Sequence, residues 1–395
     1  MAVRAGNFGK RAPVAPARAM PAPQPARPAP EVPASTNPSF FGRIPWFTLV
    51  LSGGLTIRYL AEIKAATDFS APGAPGHYSL LALGASNHVQ VVGAGEWWRL
   101  FTAPALHASP EHLIGNLISL LMVGILLEPL VGIGWFAAVY FVGALSGVLF
   151  SVLLNDPSIP SVGASGAIMA CMAALFVLSY HDGVKRPVLM RRMSLSVLVP
   201  ALLPSASGGV DLNAHLGGLL GGLLVAFVLL ICWPEKEERM PGRSFSALVA
   251  GVLLAMTAWA FVASEQSFAH YAEPGRDVIQ PGDLPRTTED MTGRSYELVR
   301  KYPKDPRAQL FRGLYFLEKR NLADAEPYLR EALRLGENNP IMTPAFTNWT
   351  RALLALDLDY RGRRPEALTF AQPACGAPDP RDQWKDMLRR RRLCP

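Results

Sequence analysis

Residues 211–234 read DLNAHLGGLLGGLLVAFVLLICWP, with no Asp, Glu, Lys or Arg after Asp211 until the chain leaves Pro234. A run of that length supplies the ~20 apolar residues an α-helix needs to cross a bilayer. Two details distinguish it from a generic span. Gly217 and Gly221, and again Gly218 and Gly222, stand four apart, so one face lacks side chains and a second helix can approach its backbone. His215 lies near the start, an ionisable group in a setting where such groups are costly and mark functional positions.

Comparable blocks flank it. Ile159–Tyr180, Met193–Val210 and Ser244–Ser264 carry no formal charge, and between Leu113 and Asn155 the one charge is Glu128, where EPLVGIG divides the run in two. The segment IPWFTLVLSGGLTIRYLAEI, residues 44–63, is apolar until Arg58, which can snorkel or pair with Glu62. Seven helices are expected, near 44–63, 111–127, 132–154, 163–180, 192–206, 212–232 and 244–264, the fifth bent by Pro200 and Pro204. With 50% hydrophobic and 17% charged residues gathered in blocks, the class is an all-α polytopic membrane bundle with soluble attachments.

The cations set an orientation. The tail up to Arg43 carries six Lys or Arg, residues 181–193 carry four and 233–243 three, whereas the alternate loops 67–110, 155–162 and 207–211 hold Arg99 alone. This bias places the N-terminus in the cytoplasm and the chain after residue 264 outside. The net charge of +7 is then topology signal plus a mixed-charge domain ending in LRRRRL (388–393), a solvated helix terminus, and no nucleic-acid partner is expected. Residues 1–43, rich in Ala and Pro, read as a disordered cytoplasmic tail. No cleavable signal peptide is visible, so a bacterial inner membrane is expected. Cys171 and Cys232 fall in apolar spans, while Cys375 and Cys394 lie in the external part, where an oxidising compartment would let them pair.

With this orientation the second, fourth and sixth helices enter the membrane from the same side, beginning HASPEHLIGN (107–116), SVGASGAIMA (161–170) and DLNAHLGG (211–218). Ser165 and His215 each fall a few residues inside, at matching depth, and Gly163 and Gly166 beside the serine allow close packing. A serine and an imidazole in reach of each other are the minimum for nucleophilic acyl transfer. His112 and Asn116 share a helix face. With the backbone N–H of Ser165 they form a donor set for an oxyanion. Each residue also has a bland reading: Ser165 as a packing residue, His215 as a proton relay. His107 and His112 as metal ligands are disfavoured, because their spacing puts them on different faces and no H-E-x-x-H is present. No metal and no cofactor are expected.

Taken together, GEWWRLFT (95–102), His107 and His112 with Asn116, Gly163–Gly166 as G-x-S-G, and AHLGG from Ala214 resemble the rhomboid intramembrane serine proteases over about Ile44–Pro234. The resemblance implies Ser165 as nucleophile, His215 as its base, His112 and Asn116 in the oxyanion site, and His107 in support. It places Trp98 and Arg99 at the family's W-R pair in an interfacial first loop, which the residues alone read as an aromatic belt with a snorkelling cation. Some rhomboids carry an aromatic residue four after the serine; here it is Met169, which implies a changed histidine orientation. No acidic third member is indicated.

The expected organisation is a tail (1–43), a six-helix core (44–232), a cytoplasmic loop and seventh helix (233–264), a linker (265–286) and an extracytoplasmic helical domain (287–395). In the last, a helix near 287–301 precedes the pair in AQLFRGLYFLEKRNLADAEPYLREAL, where Gly313, Phe316, Ala325, Leu329 and Ala332 fit tetratricopeptide positions, and a second pair in 345–373 carries Ala367 and Ala371 at similar spacing. The function expected is cleavage of membrane-anchored proteins, with the repeats binding a protein partner. The rival is a noncatalytic rhomboid-like protein that retains membrane clients; a transporter fits poorly with so few intramembrane acids.

Overall fold

The computed structural model describes residues 44–157, 159–182, 184–203, 210–234, 240–377 and 383–395; the expected tail over 1–43 and the end of the fifth expected helix with Pro204 lie outside them. The protein is all-α apart from a two-stranded hairpin, β1 (Phe69–Ala71) with β2 (Ala74–Pro75). In chain order come α1 (Trp46–Ala65), α2 (His77–Leu83), α3 (Arg99–Thr102), α4 (Pro110–Val131), α5 (Ile133–Leu154), α6 (Ser165–Leu178), α7 (Pro187–Ala201), α8 (Leu212–Cys232) and α9 (Arg243–Arg276). Among the described residues α4, α5, α8 and α9 are long and apolar enough to cross a membrane, and α6 is a shorter apolar helix. The chain is a multi-pass membrane bundle.

Glycine decides which helices touch. A Cβ on Gly218 would strike the Gly166 carbonyl and one on Gly222 the backbone of Ala170, so α8 and α6 meet with no side chain between them. On its other flank α8 meets α5: a Cβ on Gly217 would lie 2.5 Å from the Ser146 carbonyl, and one on Gly147 2.8 Å from the Ala214 carbonyl. The middle of α6 is consequently buried on all sides, the arrangement expected when small residues replace lipid contacts by protein ones.

Glu128, the lone charge of its run, is 4% exposed and belongs to no ion pair among the described residues. It instead accepts from the first turn of α1: the backbone N–H of Phe47 at 3.0 Å, that of Thr48 at 2.9 Å and the Thr48 hydroxyl at 2.7 Å. Helix N-termini leave four donors without partners, and a carboxylate there also meets the positive end of the dipole. Gly124, one turn earlier on α4, makes room for Thr48.

The first loop departs from expectation. Trp97 is half exposed, but Trp98 is buried and Arg99 entirely so; the arginine does not snorkel. Its guanidinium donates to the carbonyls of Leu81 (2.6 Å) and Ala85 (2.8 Å), pairs with Glu96 at 2.6 Å, and packs against the rings of Trp98 and Tyr271. Two carbonyls, a carboxylate and two ring faces offset much of the cost of burying this cation. Tyr271 reaches this site because α9 runs to Arg276, past the end at 264 read from composition; Tyr271 and Ala272 pack with Leu80–Leu83 of α2.

Beyond α9, the segment expected to form one helix at 287–301 is two, α10 (Thr288–Gly293) and α11 (Ser295–Lys301), parted at Arg294. Two antiparallel pairs follow: α12 (Pro306–Glu318) with α13 (Leu322–Glu337), and α14 (Pro344–Tyr360) with α15 (Arg364–Gly376), then α16 (Gln383–Arg390). Leu310, Ala325, Leu329, Ala332, Ala367 and Ala371 share one core, and a Cβ on Gly313 would clash with Leu329. Cys375 and Cys394 are joined by a disulfide that ties the chain end to α15. The turn between α13 and α14 packs onto the first loop: Ile341 joins the cluster of Tyr78 and Leu81, and the Gln90 side-chain amide donates to the Pro340 carbonyl at 3.2 Å.

Replacing Glu128 by Leu strands three donors, the two on Thr48 buried, and a buried donor costs ~1–3 kcal/mol when unpaired. The expected outcome is a thermal midpoint lowered by several degrees in detergent, with a smaller loss for Thr48→Val, which removes one bond; equal midpoints for wild type and Glu128→Leu would contradict this assignment.

Candidate active site

Ser165 does not sit a few residues inside its helix; it is the first residue of α6. The turn ahead of it is set by Gly163, whose φ of +117° is open to glycine and strained for other residues. Gly163 donates its N–H to the Ala103 carbonyl at 3.0 Å, and Ser161 exchanges backbone bonds with Ser86 (2.7 and 3.2 Å), so the first loop holds this turn in place. A side chain at Gly163 would come within 2.7 Å of the His112 ring and 3.5 Å of the Asn116 amide nitrogen. The missing Cβ is therefore the space those two groups occupy. At the start of the helix the backbone N–H groups of α6 have no intrahelical acceptor and add a positive potential.

One cavity of about 380 Å³ is lined by Ser165, His215, His112, Asn116, Met169 and Asp211, among others. His215, in the first turn of α8, is buried, and its Nδ1 lies 2.8 Å from the Ala201 carbonyl at the end of α7. A carbonyl can only accept, so Nδ1 carries a proton, and in the neutral ring the lone pair lies on Nε2. The histidine is thus oriented by a backbone carbonyl that an α-helix leaves free at its C-terminus. Met169 shares the cavity wall with it, in place of an aromatic ring.

Asn116 is buried, and its Nδ2 has no hydrogen-bond partner among the described residues. A stranded buried donor is unusual enough to require a purpose. His107 sits apart from the cavity wall, its ring edge-on to His112 at 5.2 Å and its backbone N–H given to Glu62 at 3.0 Å. Burial, and then the neighbouring His112, push its imidazole down to about 3, so it is neutral. Among the described residues no group of three His, Cys, Asp or Glu is arranged to hold a metal. Trp98 and Arg99 do not line the cavity and belong to the first loop; Gly166 acts through the contact of α6 with α8.

One residue escaped the sequence reading. Asp211, the N-cap of α8, accepts from the Ala214 N–H (2.9 Å), the Ser151 hydroxyl (2.6 Å), the Ser161 hydroxyl (2.6 Å) and the Asn155 amide (2.9 Å). It therefore ties the end of α5 and the turn before Ser165 to the helix carrying His215. Its signal was an Asp just before an apolar run, a standard N-cap position. Burial disfavours its charged form, but the bonds from Ser151, Ser161, Ala214 and Asn155 outweigh that and hold it below the ordinary carboxylate value of 3.8.

Comparison with known proteins bears on the same segment. The family profile described as Rhomboid domain matches residues 94–232. The chain is 33% identical over 150 residues to YdcA of Bacillus subtilis, a relative named for the same family, covering 38% of this chain and 73% of that one. The chain belongs to the rhomboid family. It is also 28% identical over 262 residues to Rhomboid protease GluP of Bacillus subtilis, covering 64% of this chain and 48% of GluP. With the mitochondrial RHOMBOID-like protein 6 of Arabidopsis thaliana it shares 35% identity over 159 residues, 40% of this chain and 52% of the relative. This rhomboid thus spans about half the length of those two relatives. The profile match takes in every cavity residue named above, from His112 to His215.

Because the folded-state value of Asp211 is depressed, its contribution to stability is complete above the unfolded carboxylate value and is lost as pH falls through the folded one. Asp211→Asn is accordingly expected to melt below wild type at pH 7, and the gap to close as pH drops under about 4. A gap that widens on acidification would overturn the sign.

Proposed function

We propose that this rhomboid is an intramembrane serine protease in which Ser165 is the nucleophile and His215 the base. The observation that carries the reading is a single cavity bordered by Ser165, by a histidine whose Nδ1 is already engaged, and by an Asn116 donor with no partner among the described residues. In this mechanism the His215 Nε2 takes the Ser165 proton as Oγ attacks the scissile carbonyl. The charge that develops on the carbonyl oxygen is met by Asn116 Nδ2, His112 and the backbone N–H of Ser165. His215 returns the proton to the leaving amine, and a water activated by the same nitrogen releases the acyl group. The substrate class is a membrane-anchored protein whose helix top unwinds, since an extended peptide bond can be brought into attack geometry and a helical one is shielded.

The finer organisation belongs to the same reading: a core over 44–232, a seventh helix after the 233–243 loop, a cytoplasmic N-terminus and an extracytoplasmic C-terminal domain in a cell inner membrane. The Cys375–Cys394 disulfide supports that side for the domain, because such bonds persist in oxidising compartments. The packing of Gly313 against Leu329 and the buried Ala325, Ala332 and Ala367 support a tetratricopeptide-like repeat, which would bind a protein partner.

A fluorophosphonate probe is expected to label the wild-type chain and not Ser165→Ala, while Asn116→Ala keeps its fold and loses ~10²–10³ in kcat on a single-pass substrate. Labelling that survives in Ser165→Ala, or none in wild type, would favour a noncatalytic protein that retains membrane clients.

A further inference from the structure

A second cleft, of about 290 Å³, opens where three stretches distant in sequence meet. The first loop supplies Asn87 and Gln90, the segment ahead of α6 supplies Ile159 and Pro160, and the α13–α14 turn supplies Ile341. Pro160 lines the catalytic cavity as well, so the two spaces lie against the same residue.

Its polar wall is incomplete. Gln90 is 3% exposed and gives its Nε2 to the Pro340 carbonyl at 3.2 Å; the carbonyl can only accept, which fixes Oε1 as the free end, buried and without a partner. The Asn87 side-chain oxygen accepts from the Gln90 N–H at 2.9 Å. Among the described residues its NH2 group donates to no protein atom. One free acceptor beside one free donor matches the N–H and C=O of an extended peptide backbone. His77 is the ionisable side chain in its lining, which holds no Asp, Glu, Lys or Arg, and Ile159, Pro160 and Ile341 give it apolar sides.

We propose that this cleft is a docking subsite for the extramembrane arm of the substrate: an extended, uncharged segment adjoining the scissile bond, held against a wall that the C-terminal domain supplies. The proposal rests on the protease reading above. At ~3.3 Å per residue, a segment leaving the catalytic cavity past Pro160 enters the cleft within a few residues. The C-terminal domain then selects substrates as part of the binding site itself.

The test uses the full chain in proteoliposomes with a model single-pass substrate bearing an uncharged arm of about twelve residues, and the same protein with the arm cut to about three, lengths that do and do not span the cleft. Gln90→Leu removes the free acceptor together with the Nε2 bond to Pro340, whereas Ile159→Trp leaves that bond in place and narrows the rim at a side chain that is 57% exposed, so it disturbs no core. Both are expected to lower kcat/KM for the long-armed substrate ~5–20-fold through KM, as the loss of one or two hydrogen bonds allows. Cleavage of the short-armed substrate and fluorophosphonate labelling of Ser165 should not change. Equal effects on the two substrates, or none, would overturn the subsite. Absence of labelling and cleavage in the wild type would instead sink the protease reading. A benzoylphenylalanine crosslinker at position 159 tests the cleft without turnover: capture of the long-armed protein alone supports it, and equal or no capture refutes it.

Discussion

The contact of α6 with α8 through Gly166, Gly218 and Gly222 is the constraint on which the rest of the site depends. In lipid there is no hydrophobic gain from bringing apolar helices together, so association rests on close backbone packing and hydrogen bonds. Three glycines supply that packing where Ser165 begins one helix and His215 opens the other. A side chain at Gly218 would push the helices apart and take the histidine away from the serine. The same logic extends to α5, where Gly147 admits the Ala214 carbonyl just before His215.

Around that contact, the charged groups that organise the fold are each met by several partners. Asp211 is satisfied by four donors and Glu128 by three. Arg99 is enclosed by carbonyls, a carboxylate and two rings. Asn116 and Gln90 are among the buried groups that carry an atom with no hydrogen-bond partner in the described residues. Both border cavities that share Pro160, and a peptide crossing them would meet a donor at one end and an acceptor at the other.

The helices were legible because a charge-free run of twenty residues has few alternatives to a membrane span. The contacts that organise the site were not. Glu128 binds a helix start about eighty residues away, and Asp211 bonds to Ser151, Asn155 and Ser161; no local period announces such pairs. Arg99 read as a surface cation because its acceptors, the Leu81 and Ala85 carbonyls, belong to backbone and leave no trace in side-chain pattern. The reach of α9 to Arg276 was hidden for a related reason: past Ser264 the helix leaves the apolar run and is held by Tyr271 and Ala272 against α2. The start of α6 at Ser165 follows from the backbone of Gly163, a conformation that glycine permits without requiring.

The most direct measurement is an experimental structure of the full chain after reaction with a fluorophosphonate. The account predicts phosphorus bonded to Ser165 Oγ, the His215 Nε2 within hydrogen-bond distance of that oxygen, and the phosphonyl oxygen on Asn116 Nδ2. A structure with α6 and α8 separated at Gly218, or with the His215 ring turned away from a modified Ser165, would contradict it.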